Sequence, residues 1–195
     1  ADRYLQLNNQ IAAAINKETG SFVRLAVGDV SQAETMRGIL RDVQNSGKKV
    51  SWIFHCAGVT NPAPLSRQDE ERFQQTFAAK VIGSWNLHKL TATQRTTVDS
   101  NMVASGVITG IAMFSSIAAI LGVFGQANYA TANAFMDGLA RMRVRQGLPA
   151  LSVRWGAWGD VGMITGASDA ILTNLKQSGF RMLNEEEGVR SLEAA

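Results

Sequence analysis

The spacing of apolar and polar residues changes its period several times along the chain, and each change predicts an element. Residues 4–16 place Leu5, Leu7, Ile11, Ala14 and Ile15 at helical spacing, with Gly20 set to cap the C-terminal end. "SFVRLAVGDVS" (21–31) is β-rich and predicts a strand. Ser31 with Glu34 three residues on has the pattern of a capping box and predicts a helix to about Ser46. "KKVSWIFHCAGV" (48–59) is almost wholly apolar, which suits a strand covered on both faces. "TNPAPLSRQDEERF" (60–73) is a turn-rich loop entering a helix, with Ser66 as its expected cap and Asp69 and Glu70 in the first turn. That helix carries Phe73, Phe77, Lys80, Val81, Trp85, Leu87 and Leu90. A Ser/Thr-rich connector (91–106) leads to a second buried strand, "VITGIAMFSS" (107–116). A helix from Tyr129 to Gln146 follows, closed by Gly147 with Pro149 beyond it. "ALSVRWGAW" (150–158) is a further apolar strand, and a glycine-rich loop, a short helix and "LNEEEGVRSLEAA" end the chain.

This β-α-β-α-β-α-β alternation predicts an α/β fold, a parallel sheet between layers of helices. In such sheets ligands sit at the carboxyl ends of the strands. The residues at those ends are Asp29 and Val30, Ala57 and Gly58, Ser115 and Ser116, and Gly156, Ala157 and Trp158.

Composition narrows the class. A chain of 195 residues has room for one ordinary domain, and 46% hydrophobic with 18% charged residues is a globular balance. The net charge of +3 is mild, and apart from Arg141, Arg143 and Arg145 the basic residues are scattered, unlike a nucleic-acid-binding face. The single cysteine, Cys56, rules out a disulfide within the chain and points to a reducing, cytoplasmic setting. Cys56 reads as a small buried hydrophobe; its neighbour His55 points to the opposite face of the strand, so the two are no catalytic dyad. Residues 100–136 contain no charged side chain. A membrane helix needs about 20 mostly apolar residues, whereas this stretch is broken by polar residues and glycines that punctuate a strand, a loop and a helix start. No membrane association and no metal site are expected. The N-terminus has no secretory signal and no initiating methionine; it reads as the middle of a helix, and the chain is expected to be a piece of a longer polypeptide.

One set of residues carries chemistry. Ser116 ends a strand, Tyr129 opens a helix thirteen residues later, Asn133 lies one turn further on the same face, and Lys80 sits on the preceding helix. A tyrosine is a poor acid at neutral pH, its unperturbed pKa being about 10. A nearby ammonium draws that value down. A serine hydroxyl can hold a carbonyl while the phenol protonates the oxygen as it becomes an alkoxide. The electrons then have to come from a hydride-donating cofactor. Taken singly, each residue has an ordinary structural reading: turn chemistry for Ser-Ser, core packing for the tyrosine, a solvated face for the lysine. It is the combination that points to a reductase.

The stretches "FHCAGV", "AAKVIGSWNLH" and "MFSSIAAILGVFGQANYATANAFMDGLARMRVRQGLPALSVRWGAWGDVGM" together resemble the ketoreductase domain of modular polyketide synthases and animal-type fatty acid synthases, a branch of the short-chain dehydrogenase/reductases. The resemblance runs from about residue 22 to the end. Tyr129 followed at four by Asn133, rather than by a lysine, marks this branch; the lysine has moved to the "AAK" helix as Lys80. The resemblance implies a Rossmann-like, doubly wound three-layer fold, with 1–195 a single, partial ketoreductase domain. It implies Tyr129 as proton donor, Ser116 polarising a β-keto group, Lys80 tuning Tyr129 and binding the nicotinamide ribose, and Asn133 completing the network. It places Asp29 and Val30 near the adenine, Ala57 and Gly58 where the ribose approaches closely, and Gly156 and Ala157 beside the nicotinamide. The cofactor would be NADPH. The substrate would be a β-ketoacyl thioester on the phosphopantetheine arm of an acyl carrier protein, with other synthase domains on the same chain.

The chain departs from the family pattern in three places. No glycine-rich turn precedes Asp29, so the first βαβ unit of the fold, which would hold the pyrophosphate, is expected to be missing and the 21–31 strand to have no neighbour. The connector after Lys80 is about a dozen residues longer than usual, read as a surface-loop insertion at 94–107. Thr60, Asn61 and Pro62 stand where one stereochemical class has Leu-Asp-Asp, and Leu121 where the other has tryptophan, which leaves the configuration of the product open. Two other readings compete: a ketoreductase-like domain that serves only structure or docking within a synthase, and a stand-alone short-chain dehydrogenase. The presence of all four residue types opposes the first, and the displaced lysine opposes the second.

Overall fold

The computed structural model describes residues 10, 12–13, 15, 17–21, 23–96, 110–159, 179 and 181–195. Three strands pair in parallel in the order β1 (Trp52–His55), β2 (Gly110–Ser116), β3 (Ala150–Trp155). His55 lies opposite Met113 and Ser116 opposite Trp155, so the carboxyl ends of all three strands open on one rim. Parallel neighbours need long crossovers, and helices make them. α1 (Ala33–Asn45) precedes β1. α2 (Glu70–Phe77) runs through a π-turn (Ala78–Ile82) into α3 (Gly83–Thr96), between β1 and β2. α4 (Ala118–Leu121) and α5 (Ala127–Arg145) join β2 to β3, and α6 (Glu185–Glu193) ends the chain.

The core forms where α3 and α5 cover the central strand. Ile111 and Met113 of β2, Met136, Leu139 and Ala140 of α5 and Leu87 of α3 are buried together, with Val30, Met36, Ile53 and Phe135 against them. Burying a side chain of this size contributes about 1.5–3 kcal/mol, so these few residues account for much of the attachment of α5 to the sheet. Polar ties fix its register. Asp137 on α5 accepts from Ser152 Oγ at 2.6 Å and pairs with Arg154 Nε at 2.7 Å, both on β3. Near the other end of α5, the buried Arg143 donates to Thr91 Oγ1 at 2.9 Å and meets His88 Nδ1 at 3.1 Å, joining α5 to α3. Gly147, at φ 71°, turns the chain out of α5 in the left-handed region a larger residue avoids.

Several local expectations are corrected. Residues 23–29 form no ladder, because an apolar run becomes a strand only beside a partner, and no other described strand lies alongside. Ser31 does not cap α1: the cap position falls on Gln32, whose side chain accepts from no amide of the first turn, while the Ser31 N–H is taken by Asp29 Oδ1 at 2.8 Å. Ser66 lies in a short 3-10 turn, and it is Asp69 whose carboxylate accepts from Arg72 N at 2.9 Å and starts α2. β1 is covered on one face only: Trp52 and Phe54, on the other, are exposed. Cys56 is exposed rather than buried, since the alternation of β1 carries it to the same uncovered side as Trp52 and Phe54. The connector begins later than its composition suggests, as α3 runs to Thr96; of the insertion expected at 94–107, residues 97–107 lie outside the described residues, as do most of 4–16 and the short helix expected near the C-terminus. Gly20 takes φ 66°, in keeping with a helix ending there.

Candidate active site

The rim brings four of the expected residues together. Tyr129 is the third residue of α5 and Asn133 lies one turn on; Ser116 is the last residue of β2; Lys80 is carried by the π-turn. Lys80 Nζ lies 5.2 Å from the centre of the Tyr129 ring and donates to the Phe114 carbonyl at 3.0 Å. Asn133 Nδ2 donates to the Tyr129 carbonyl at 2.8 Å, and the Asn133 carbonyl accepts from Ser115 Oγ at 3.3 Å, which pins this turn of α5 to β2. Asn133 Oδ1 is buried and has no partner among the described residues.

The π-turn explains how a lysine comes to point inward. A π-turn holds one residue more than an α-turn and turns up most often at functional sites. Here it places a 2% exposed lysine under the tyrosine. Burial brings the Lys80 ammonium down to about 8, the neighbouring Cys56 working weakly against this. Behind it, burial holds the His55 imidazole neutral, at about 4, with the Lys80 charge adding to the effect and the facing carbonyls of Ala79 and Lys80 opposing it. The expectation that Lys80 lowers the Tyr129 pKa is not met. Burial raises the phenol above its ordinary value, and it is hydrogen bonding from the Asn133 and Ser116 side chains that pulls the other way. The Lys80 ammonium itself is bonded to the Phe114 carbonyl and lies 5.2 Å from the centre of the ring.

The expected cofactor residues divide into two groups. Gly58 touches the centre directly: a Cβ there would lie 2.7 Å from Lys80 Cε and 3.2 Å from Nζ. The glycine therefore makes room for the lysine, a reason distinct from the ribose approach expected of it. Ala57 lies on the same turn. Gly156 and Ala157 leave β3 on the same rim, where the Ala157 carbonyl accepts from Leu183 N at 2.8 Å. Asp29 and Val30 stand further along. Asn86 of α3 holds their turn by donating to the Val30 and Ser31 carbonyls at 3.3 and 2.8 Å, and Val30 packs over Gly83.

Sequence reasoning overlooked Asn128. It is fully buried and sits immediately before Tyr129, yet a lone asparagine in "QANYATAN" looks like helix-start chemistry. What sets it apart is three-dimensional: the cap residue of the helix, Gln126, makes no side-chain capping bond, and the Asn128 side chain accepts from Tyr129 N at 2.9 Å. Phe114 was also missed, because it acts through its carbonyl.

The residues of the rim belong to a recognisable stretch. The family model for the KR domain matches residues 3–160. The chain is similar to polyketide synthase GfsB of Streptomyces halstedii (37% identity over 179 residues, 91% of this chain and 3% of that protein). It is also similar to the phthioceranic/hydroxyphthioceranic acid synthase of Mycobacterium tuberculosis (33% over 177 residues, 90% of this chain and 8% of that protein). The chain thus spans less than a tenth of these curated relatives. Among solved structures, an A-type ketoreductase from a modular polyketide synthase superposes with a TM-score of 0.79 at 31% identity, covering 93% of this chain and 36% of that one. The first ketoreductase of the tylosin synthase gives 0.75 at 30%, covering 94% and 36%.

Proposed function

The chain belongs to the KR-domain family, as a ketoreductase domain of a polyketide synthase, and on that premise we propose that it takes part in the NADPH-dependent reduction of a β-ketoacyl thioester carried on an acyl carrier protein. The observation that carries the reading is the convergence of Lys80, Ser116, Tyr129 and Asn133 on one rim, with the Asn133 amide oxygen unpartnered among the described residues. The donor set fits the nicotinamide end of a dinucleotide: an ammonium, two hydroxyls and an amide stand around bare backbone at Gly58. This chain adds no glycine-rich turn for the pyrophosphate.

When bound, NADPH would supply a hydride for the carbonyl carbon. The chain's own residues do the rest. The Ser116 hydroxyl donates to the keto oxygen and orients it. As negative charge gathers on that oxygen the Tyr129 phenol passes its proton across, giving the β-hydroxyacyl product. Ser116 and Asn133 stabilise the phenolate left behind, and the Lys80 ammonium, held from beneath by Phe114, lies close enough to help neutralise it. A tyrosine whose burial keeps it protonated suits a proton donor, since the acid form is the one required. The other synthase domains on the same polypeptide would supply and remove the substrate.

The test is NADPH oxidation with a β-ketoacyl thioester mimic, in a polypeptide extended upstream through a glycine turn. Replacing Tyr129 by Phe should lower kcat by about 10²–10⁴, the range typical of a lost acid–base group. Turnover that survives the replacement refutes the assignment of Tyr129. A folded protein that neither turns over nor binds NADPH favours a domain serving structure alone.

A further inference from the structure

Asn128 is the most heavily engaged buried polar residue outside the four just discussed. Its side-chain oxygen accepts from Tyr129 N at 2.9 Å. Its amide nitrogen faces three acceptors: the Asn61 carbonyl at 3.0 Å, the Arg72 carbonyl at 3.2 Å and Thr76 Oγ1 at 3.1 Å. Asn128 and Thr76 are both 0% exposed.

Each contact has a cause. The first N–H groups of a helix lack intrahelical partners, and Gln126 at the cap position provides no side-chain acceptor. Asn128 fills that need from inside the helix, on the N–H of Tyr129 itself. Its amide hydrogens reach α2 and the loop after β1, two segments distant in sequence. The same loop is tied to the turn before α5 by Ala63 N donating to Gly125 O at 2.8 Å, and by Gln68 Nε2 donating to Gly125 O at 3.4 Å. Asn61 is held in turn by Arg72 and by Gln75. Among these bonds only those of Asn128 join the tyrosine's own backbone to α2, the helix that continues through the π-turn to Lys80.

We propose that Asn128 is a positioning residue: it sets the first turn of α5 against α2, and so holds the Tyr129 hydroxyl in place relative to Ser116 and to the lysine carried beyond α2. This rests on the reading of Tyr129 as the proton donor. Asn128 touches no reacting atom and acts through Tyr129 alone. A side chain with a donor pair and an acceptor at that distance is needed; alanine offers neither, and leaves the Asn61 carbonyl, the Thr76 hydroxyl and the Tyr129 N–H buried without this partner.

The experiment is a double-mutant cycle on kcat for the thioester mimic, using Asn128→Ala, Tyr129→Phe and both together in the extended polypeptide. Misplacing a reacting group by about 1 Å can cost on the order of 10²-fold, so Asn128→Ala alone is expected to lower kcat by that order. Once the phenol is gone its position no longer matters, so adding Asn128→Ala to Tyr129→Phe should change kcat by less than about threefold. Equal losses in both backgrounds, or no loss in the first, overturn the proposal. If Tyr129→Phe retains full activity, the assignment of the proton donor has failed, whatever Asn128 does. Should Asn128→Ala not fold, Thr76→Val removes one partner from the other side of the tie. It is expected to show the same non-additivity at smaller size, and additive behaviour there overturns the proposal equally.

Discussion

Replacing Gly58 by alanine probes the rim at its tightest point. The added Cβ would sit 2.7 Å from Lys80 Cε and 3.2 Å from Nζ. Carbon atoms pack at about 3.5–4.0 Å, so the lysine has to withdraw by roughly 0.8 Å. The end of a lysine on a surface gives way at no cost, but this one is 2% exposed and its ammonium is held by the Phe114 carbonyl at 3.0 Å. A retreat of that size carries the bond beyond hydrogen-bonding distance. A buried ammonium loses its partner, worth about 1.5–3 kcal/mol for a charged group, and overpacking costs about 1–3 kcal/mol where nothing can move. The two are alternative ways of relieving one strain, so we expect about 1–3 kcal/mol in all. Urea unfolding followed by tryptophan fluorescence reads it: the midpoint should fall with the slope unchanged. In the same variant kcat should fall, since the lysine can no longer lie under Tyr129. A midpoint and a kcat both equal to those of the parent would refute the reasoning, because Lys80 would then be free to move and the glycine needed for something else.

Two further predictions use the same unfolding assay. Gly38 lies inside α1 with open space where a Cβ would go and without a positive φ; alanine there should stabilise by about 0.5–1 kcal/mol, and a loss would mean that α1 is not a regular helix at that point. The pH dependence has a sign fixed by burial. His55 and Lys80 both titrate lower in the fold than in the open chain, at about 4 against 6.5 and about 8 against 10.5, so between each pair of values the unfolded chain binds more protons. Stability therefore rises with pH from about 4 to 6.5 and again from about 8 to 10.5, by on the order of 3 kcal/mol for each group. The raised Tyr129 works against the second rise above pH 10. Unfolding midpoints across pH, with His55→Asn beside the parent, check this: the lower rise should shrink in the variant, leaving the part that His88, also shifted down by burial and by Arg143, contributes, and an identical profile would contradict it.

What could be read from the residues alone was whatever follows from local pattern. β2, β3 and α5 were legible because their apolar runs and their bounding glycines are local, and because the strands they predict find partners. Residues 23–29 have the same composition and no ladder, since pairing is a property of the neighbour and not of the segment. The caps moved by one to three residues, from Ser31 to Gln32 and from Ser66 to Asp69, because which hydroxyl or carboxylate takes the first amide depends on the angle at which the chain enters. Ser116, Tyr129, Asn133 and Lys80 could be named from their spacing. The charge state of the tyrosine could not: spacing said that a cation stands near, while burial of both groups, which spacing does not encode, decides the direction of the shift. Asn128 was invisible for the same reason, as its four partners come from three separate stretches of chain.

The π-turn between α2 and α3 gives the length of the polypeptide a meaning of its own. A π-turn is an α-helix with one residue inserted. The helical faces on either side, Phe73 and Thr76 before it and Ser84, Leu87 and Thr91 after it, pack as two ordinary helices would. Removing one residue between Phe77 and Gly83 would let the helix close into regular α geometry with both faces still seated, while the bulge that aims Lys80 at Tyr129 disappeared. The number of residues between those two landmarks is thus a count that any related sequence displays in plain text. A gap of one there marks a domain that has kept its architecture and lost its aim.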